Sequence, residues 1–311
     1  MEFGGGGLEV FREMEGGCGI KNKYNIMSKK NMDKGATKEY WSMTEGVFNC
    51  LSDKKRTDAF KKAINNTVKR GDIVVDMGTG SGVLAMFAAD AGAKKVYAVE
   101  FDENNIRTLR ENFLINGYDK KIEVIAGDVT KVKLPEKVDV IIGEMIATAL
   151  IEELQIQAMN NMLKYAKKSI KVLLNKFENY VDLVYNDDNY YGKKFKILRY
   201  EYPGEKKMKS ISLSSKFLYS SVDFSKINTK NKVNKKINLF INKNGIINGV
   251  RLSSRTIFHD NSFFDFSFAY SYPIILPIKD LAVVKGDVFE VSISYEMCKG
   301  FKNFTYKLIK K

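Results

Sequence analysis

The 311-residue chain contains one histidine, one tryptophan, four prolines and three cysteines. A mechanism built on a histidine base has only His259 to use. It sits in a region with no other active-site signal and is read as structural. Cys18, Cys50 and Cys298 are far apart. That excludes a disulfide framework and a paired-cysteine zinc site, and it points to a reduced, cytoplasmic setting. No apolar run approaches the roughly 18 residues that cross a bilayer, so no membrane partner is expected. The N-terminus, MEFGGGGLEVFREMEGGCGI, lacks the basic start and apolar core of a signal peptide. Residues 1–35 read as a flexible leader or as a start codon placed too early, with Met27 and Met32 as alternative starts.

The remaining composition is ordinary for a globular protein, at 44% hydrophobic and 28% charged residues. The length favours two domains, or one with a large addition. The net charge is +14. It fits an acidic partner such as nucleic acid, and equally a Lys-rich coat over every surface.

Hydrophobic periodicity divides the chain. Residues 53–70 carry apolar residues at helical intervals and stop at Gly71. DIVVDMG, KVYAVEF, IEVIAGD and VDVIIGE read as buried strands. They alternate with helices at SGVLAMFAADAGA and ENNIRTLRENFLINGY, and the spacing predicts a further helix over 149–168. Such alternation implies a parallel sheet covered on both faces. Near residue 170 the pattern becomes short runs rich in aromatic and β-branched residues, from IKVLL to NFTYKLI. The expected fold is α/β followed by β. A Rossmann-like domain at 36–170 precedes an antiparallel barrel or sandwich at 171–311. Within the second part, residues 203–243 hold ten lysines against Glu205 and Asp223, and read as solvated loop or nucleic-acid contact.

The strongest motif is VVDMGTGSG, residues 74–82, between a buried strand and a helix. Its Asp-x-Gly-x-Gly-x-Gly spacing differs from that of dinucleotide binders. Gly78, Gly80 and Gly82 let the backbone approach a ligand. Asp76 suits a cationic or hydrogen-bond-donating ligand and would repel a pyrophosphate. Glu100 ends the next strand, where a carboxylate can accept from ribose hydroxyls. Asp128 ends the strand after that. One such acid is commonly a helix cap, but three beside a glycine loop are harder to explain structurally. Further along, Glu144 closes the run VDVII. Seven uncharged residues follow, and then Glu152 and Glu153. Taken alone, these are a loop cap and a helix start favoured by the helix dipole.

Residues 70–145 resemble the class I S-adenosylmethionine methyltransferases. The resemblance implies that S-adenosylmethionine (SAM) is the cofactor. It implies that the glycine loop holds the methionine part, Glu100 the ribose and Asp128 the adenine amine. LSDKKRT, MFAADAGAKKVYAVE and LPEKVDVIIGE are similar to the protein arginine methyltransferases in particular. That narrower resemblance implies that Arg56 pairs with the cofactor carboxylate. It implies that Glu144 and Glu153, nine residues apart, grip a substrate guanidinium, and that the later half is the family's β-barrel. A guanidinium carries five donors in a plane, which two carboxylates can hold and aim.

Three stretches depart from that family. YWSMT, residues 40–44, has Thr44 where a second Tyr is usual. GEMIAT lacks the aromatic residues of the usual loop. FAYSYP, residues 268–273, lacks the His and Trp of the barrel loop. The leading expectation is a methyltransferase acting on a protein arginine. The alternatives are an RNA methyltransferase on the same scaffold and a non-catalytic SAM-binding scaffold. An RNA enzyme would lack the Asn/Asp-Pro-Pro-Tyr motif, whose place GEMI takes. For a cytosine-C5 mechanism it would have only Cys50 nearby. The family generally dimerises, so a homodimer stays open.

Overall fold

A computed structural model describes residues 44–204 and 210–311, all within one compact unit. The leader, Cys18, the first four residues of YWSMT, and Lys206, Lys207 and Lys209 of the Lys-rich stretch lie outside the described residues.

Two helices open the described chain, α1 (Thr44–Ser52) and α2 (Lys54–Thr67). Asp53 separates them and caps α2 by accepting the Arg56 N–H at 3.1 Å. Arg56, Phe60, Ala63, Ile64 and Thr67 form the buried stripe of α2, at the spacing of one helical face. The helix ends before Arg70 because Val68 turns extended, with ψ of 137°.

Next come β1 (Ile73–Met77), α3 (Val83–Asp90), β2 (Lys95–Glu100), α4 (Glu103–Ile115), β3 (Ile122–Ala126) and β4 (Val138–Gly143). With β5 (Ala166–Val172), the sheet is parallel throughout, in the order β3-β2-β1-β4-β5. Every residue of β1 is buried, as expected of a strand covered on both faces. Strand order reverses at β1, between β2 and β4. In open α/β sheets that reversal opens the ligand crevice at the strands' C-terminal ends.

The helix predicted over 149–168 is reduced to α5 (Gln155–Met162). Ala149, Leu150 and Glu153 have φ of 59°, 53° and 30°, and no right-handed helix passes through such residues. Beyond α5, Ala166–Val172 forms β5 and pairs in parallel with β4. IKV of the run IKVLL therefore closes the parallel sheet instead of opening the antiparallel half.

The antiparallel half begins at β6 (Leu174–Tyr185). It continues through β7 (Phe217–Asp223), β8 (Lys232–Phe240), β9 (Gly245–Phe258), β10 (Ile274–Val283), β11 (Val288–Glu296) and β12 (Thr305–Lys310). One sheet runs β7-β6-β9-β10, and the other runs β8-β11-β12. Along β11, Phe289, Val291, Ile293 and Tyr295 are buried and their neighbours are not, the period of two expected of a one-sided strand. The Lys-rich stretch is less loop-like than its composition suggests, because β7 and β8 run through it. Lys232, Lys235 and Lys236 occupy exposed positions of β8. One apolar core joins the two halves, from Val74 and Ile141 through Leu174 to Leu252 and Val291. No helix among the described residues is long and apolar enough to cross a membrane.

Gly143 ends β4 opposite Met77, at φ of 112°. A Cβ there would lie 2.5 Å from the backbone N and O of Met77. Gly143→Ala is expected to destabilise the protein by about 1–3 kcal/mol in urea unfolding. An unchanged midpoint would show that β1 and β4 can move apart freely.

Candidate active site

The site begins where β1 runs out. Gly78, Gly80 and Gly82 take φ of 59°, 54° and 82°, a left-handed path that glycine follows without strain. The loop folds back on the sheet, with Thr79 N–H donating to the Val99 carbonyl at 3.0 Å. Gly80 N–H donates to Glu100 Oε2 at 2.9 Å. Glu100 Oε1 accepts from the N–H groups of Phe101 and Asp102, at 2.8 and 2.9 Å. Glu100 therefore ties the end of β2 to the glycine loop. Burial raises its carboxyl pKa against those three amides.

Asp76 is 1% exposed. Its Oδ2 accepts the Thr79 hydroxyl at 2.5 Å, while its Oδ1 makes no well-formed hydrogen bond among the described residues. Burial pushes the Asp76 carboxyl up to about 7, with the Thr79 bond and the Arg56 charge opposing. A buried carboxylate oxygen without a donor suits a ligand that brings one. Asp128 is satisfied locally. Its Oδ1 accepts the N–H and hydroxyl of Thr130 at 2.9 and 2.7 Å, and Lys131 sits 3.0 Å from Oδ2. Burial would raise its carboxyl, but the Thr130 and Lys131 bonds prevail and lower it.

Across the reversal, Glu144 follows β4. Its Oε2 accepts from Arg56 Nε at 3.1 Å and Nη2 at 2.5 Å, with the two side chains 6% and 7% exposed. Glu144 Oε1 accepts the Ile146 N–H at 2.8 Å. Arg56 also donates to the Cys50 carbonyl at 3.2 Å and lies 5.0 Å from the centroid of the Phe60 ring. Burial disfavours the Arg56 charge, but Glu144 outweighs it and the guanidinium stays ionised.

The chain then reverses through Ala149 and Leu150, and Glu153 comes within electrostatic reach of Glu144 and Arg56. The Glu153 carboxyl is held well above the usual carboxylate range, first by burial and then by the charge of Glu144. Glu152 is half-buried and raised by burial alone. The Cys50 thiol is pushed up to about 12 by burial and by Glu144. Asp76, Glu100 and the three glycines stand at the C-terminal ends of β1 and β2, Arg56 and Glu144 pair beside the end of β4, and Glu153 lies within electrostatic reach of that pair. Asp128 follows β3, the neighbour of β2, and is bonded by Thr130 and Lys131.

The antiparallel half braces the glutamate loop. Ser254 Oγ accepts the Ala149 N–H at 2.9 Å and donates to Asn179 Oδ1 at 2.8 Å. The Tyr295 hydroxyl donates to the Ala149 carbonyl at 2.9 Å. Cys298 N–H donates to the Leu150 carbonyl at 2.7 Å, and Gly300 N–H donates to that of Ile151 at 2.8 Å. Gln155 Oε1 accepts the Met145 N–H at 2.9 Å. A second tie comes from Asp53, whose Oδ2 accepts from Ser267 Oγ at 2.5 Å and Ala269 N at 2.7 Å. Sequence reading missed these residues. Asp53 carried a detectable signal as a helix cap. Ser254 and Tyr295 carried none, being 105 and 146 positions from the residue they hold.

Residues 55–173 match the family model described as ribosomal protein L11 methyltransferase (PrmA). An uncharacterized protein of Methanocaldococcus jannaschii is 34% identical over 250 residues, covering 80% of this chain and 90% of that one. Protein arginine N-methyltransferase PRMT10 of Oryza sativa subsp. japonica is 46% identical over 105 residues, which span 33% of this chain and 27% of the plant protein. The chain belongs to the S-adenosylmethionine-dependent methyltransferases, as a divergent member close to the protein arginine methyltransferases.

Solved structures share the fold of this methyltransferase. The Trypanosoma brucei PRMT1 enzyme–prozyme heterotetrameric complex with AdoHcy superposes with a TM-score of 0.71 at 18% identity, over 87% of this chain and 98% of that one. Arabidopsis thaliana protein arginine methyltransferase 10 gives 0.70 at 18% identity, over 87% of this chain and 99% of that one. The site chemistry fits SAM, which carries an ammonium, a sulfonium and ribose hydroxyls. Asp76 Oδ1 is buried without a well-formed hydrogen bond among the described residues, and Glu100 stands beside the glycine loop.

Two outcomes follow from this geometry. Glu144→Ala leaves the Arg56 guanidinium buried and unpaired, so it is expected to cost about 3–5 kcal/mol in urea unfolding. Adding Arg56→Met should recover most of that loss, and equal losses in the single and double variants would rule out coupling. The second outcome concerns pH. Asp76 holds its proton in the folded state up to about 7 and releases it near 3.8 when unfolded. Its contribution to cofactor-free stability is therefore full below about 4, declines as pH rises to 7, and is level above that. Asp76→Asn should lack this component of the decline. Parallel wild-type and variant profiles from pH 4.5 to 8 would show that Asp76 titrates normally.

Proposed function

We propose that this methyltransferase modifies an arginine side chain of a protein, with Glu144 and Glu153 holding the guanidinium. The feature that supports this reading is the turn through Ala149 and Leu150, which sets Glu153 within electrostatic reach of Glu144 and Arg56. A protein enclosing two carboxylates there needs a cation to neutralise them. Glu144 already binds a guanidinium, that of Arg56, through Oε2. Its Oε1 takes a single backbone donor, so the carboxylate keeps capacity to accept.

The cofactor supplies a methyl group already activated on sulfur. Asp76 and the loop of Gly78, Gly80 and Gly82 are assigned to its methionine end, with Arg56 facing the carboxylate. Glu100 is assigned to the ribose and Asp128 to the adenine amine. The glutamates aim one guanidinium nitrogen at the methyl and exclude water from the approach. Bound SAM would supply its sulfonium methyl to that nitrogen and leave as the thioether, and the nitrogen would then have to lose one proton. Glu153 is the acceptor of that proton. It is ionised while a guanidinium cation neutralises its surroundings, and its raised pKa makes it a better base than an exposed glutamate.

The test uses radiolabelled SAM with an arginine-rich protein substrate, followed by acid hydrolysis and amino-acid analysis. Label is expected in methylarginine. Glu144→Gln and Glu153→Gln should retain SAM binding by calorimetry while losing about 100-fold or more in turnover. Full activity in either variant would remove that glutamate from the site. Label recovered in RNA would replace the protein-acceptor reading.

A further inference from the structure

The antiparallel half holds a second polar feature, separate from the methyl-transfer site. Arg199 pairs across the sheet with Ile275, Ile275 with Arg251, and Arg251 with Asp182. Directly opposed residues of antiparallel strands project from the same face, so two arginines stand in one cross-strand row. Their surroundings differ. Arg251 is gripped by Asp182 at 2.9 and 2.7 Å and by Glu201 at 3.2 Å. All three guanidinium nitrogens of Arg199 are shut off from solvent, and none reaches a hydrogen-bond partner among the described residues. Acids close to it in sequence are engaged elsewhere. Asp188 is 2.6 Å from Lys196, and Glu201 is shared between Arg251 and Ser210. Keeping a guanidinium from water without a partner is costly, because five donors lose their hydration.

Arg199 borders a cavity of about 230 Å³ together with Asn186, Tyr190, Tyr200 and Tyr202. Binding there requires the Arg199 guanidinium, covered in this structure, to turn into that space, which has room for a carboxylate or phosphate group with the stem that carries it. A guanidinium fork matches either oxyanion with two parallel bonds. The cavity also lies beside the glutamate loop. Tyr202 and Tyr200 pack on Tyr272, with ring centroids 4.6 and 6.4 Å away. The Tyr272 carbonyl in turn accepts the hydroxyl of Thr148, between Glu144 and Glu153. One tyrosine layer therefore separates the two places, a span that a few residues of extended peptide cover.

We propose that this cavity is an oxyanion subsite for an acidic or phosphorylated side chain of the acceptor protein, a few residues from the target arginine. This rests on the protein-acceptor reading. A nucleic acid suits the place less well. The tyrosine rings meet each other at 64° and 68° and offer no stacking platform to a base.

The experiment has two independent parts. In the first, arginine peptides carrying Glu or phosphoserine two to five residues from the arginine are compared with Gln counterparts. With wild type, the acidic peptides are expected to show a KM about tenfold lower, as one charge-assisted hydrogen bond implies. The advantage should vanish in Arg199→Met and partly return in Arg199→Lys. The second part needs no turnover. Glutarate and inorganic phosphate should each raise the Tm of wild type saturably and leave Arg199→Met unmoved. Without anion, Arg199→Met should melt no lower than wild type, since it removes an unpaired buried charge. Absence of a saturable anion response, or an equal response in the variant, overturns the subsite. Binding of single-stranded oligouridylate that depends on Arg199, with no peptide discrimination, overturns it in favour of nucleic acid. If no arginine peptide is methylated but the anion response stands, the protein-arginine reading fails and the oxyanion site remains.

Discussion

Arg56 and Glu144 meet with both side chains less than a tenth exposed. An ion pair so far from water holds together only if the remaining donors and acceptors are also satisfied. Here they are engaged on both sides. Arg56 reaches the Cys50 carbonyl, and Glu144 takes the Ile146 amide. The pair thereby ties α2 to the end of β4, two elements 88 residues apart in sequence. It also sets the charge of the whole pocket. Around one buried guanidinium stand Glu144 and Glu153, with Asp76 within its electrostatic reach. The pocket is acidic although the protein as a whole carries a charge of +14. The lysines of β8 lie on exposed strand positions, where water screens them.

That arrangement requires the chain to turn sharply between Glu144 and Glu153. Ala149 and Leu150 both take left-handed φ, which costs a residue with a Cβ roughly 1–2 kcal/mol each. Bonds from outside the loop offset the strain. Ser254 and Tyr295 hold the two backbone groups of Ala149, and Cys298 holds the Leu150 carbonyl. All three come from the antiparallel half. The second half of the protein therefore shapes the acceptor loop directly, in addition to any surface it offers a substrate. Asp53 works in the other direction, binding Ser267 and Ala269 of the barrel loop to the start of α2. In this chain those two residues do the tying in a stretch that lacks His and Trp.

Most of the first half was legible because its signals are local. A strand, a glycine turn and a helix follow one another in VVDMGTGSGVLAMFAAD, and the pleat and helical periods place each element within a residue or two. The helix expected over 149–168 failed for a non-local reason. Its apolar spacing is genuine, but hydrogen bonds from β9 and β11 stabilise a backbone that the spacing alone would not adopt. The same holds for residues 166–172. Their edge pairing with β4 depends on where β4 lies and not on their own composition. The Lys-rich stretch misled in a different way. Lys232, Lys235 and Lys236 on the exposed positions of a one-sided strand look like a charged loop when the buried positions Val233, Ile237 and Leu239 are few and widely spaced.

By itself the sequence determined the order of elements, the glycine loop and the acids at the strand ends. Each of these follows from residue types within about ten positions of one another, so local sterics and hydrophobic burial suffice. Only the tertiary structure decided which acids share a site. It set Glu153 within electrostatic reach of Glu144, gave Arg56 to Glu144, left Asp76 Oδ1 without a hydrogen-bond partner among the described residues and engaged Asp128 with Thr130 and Lys131. It also set Arg199 and Arg251 in one row while pairing only the second. The physical reason is common to all of them. The energy of a buried charge depends on every group within a few ångströms, and those groups come from strands and helices that meet only when the chain has folded.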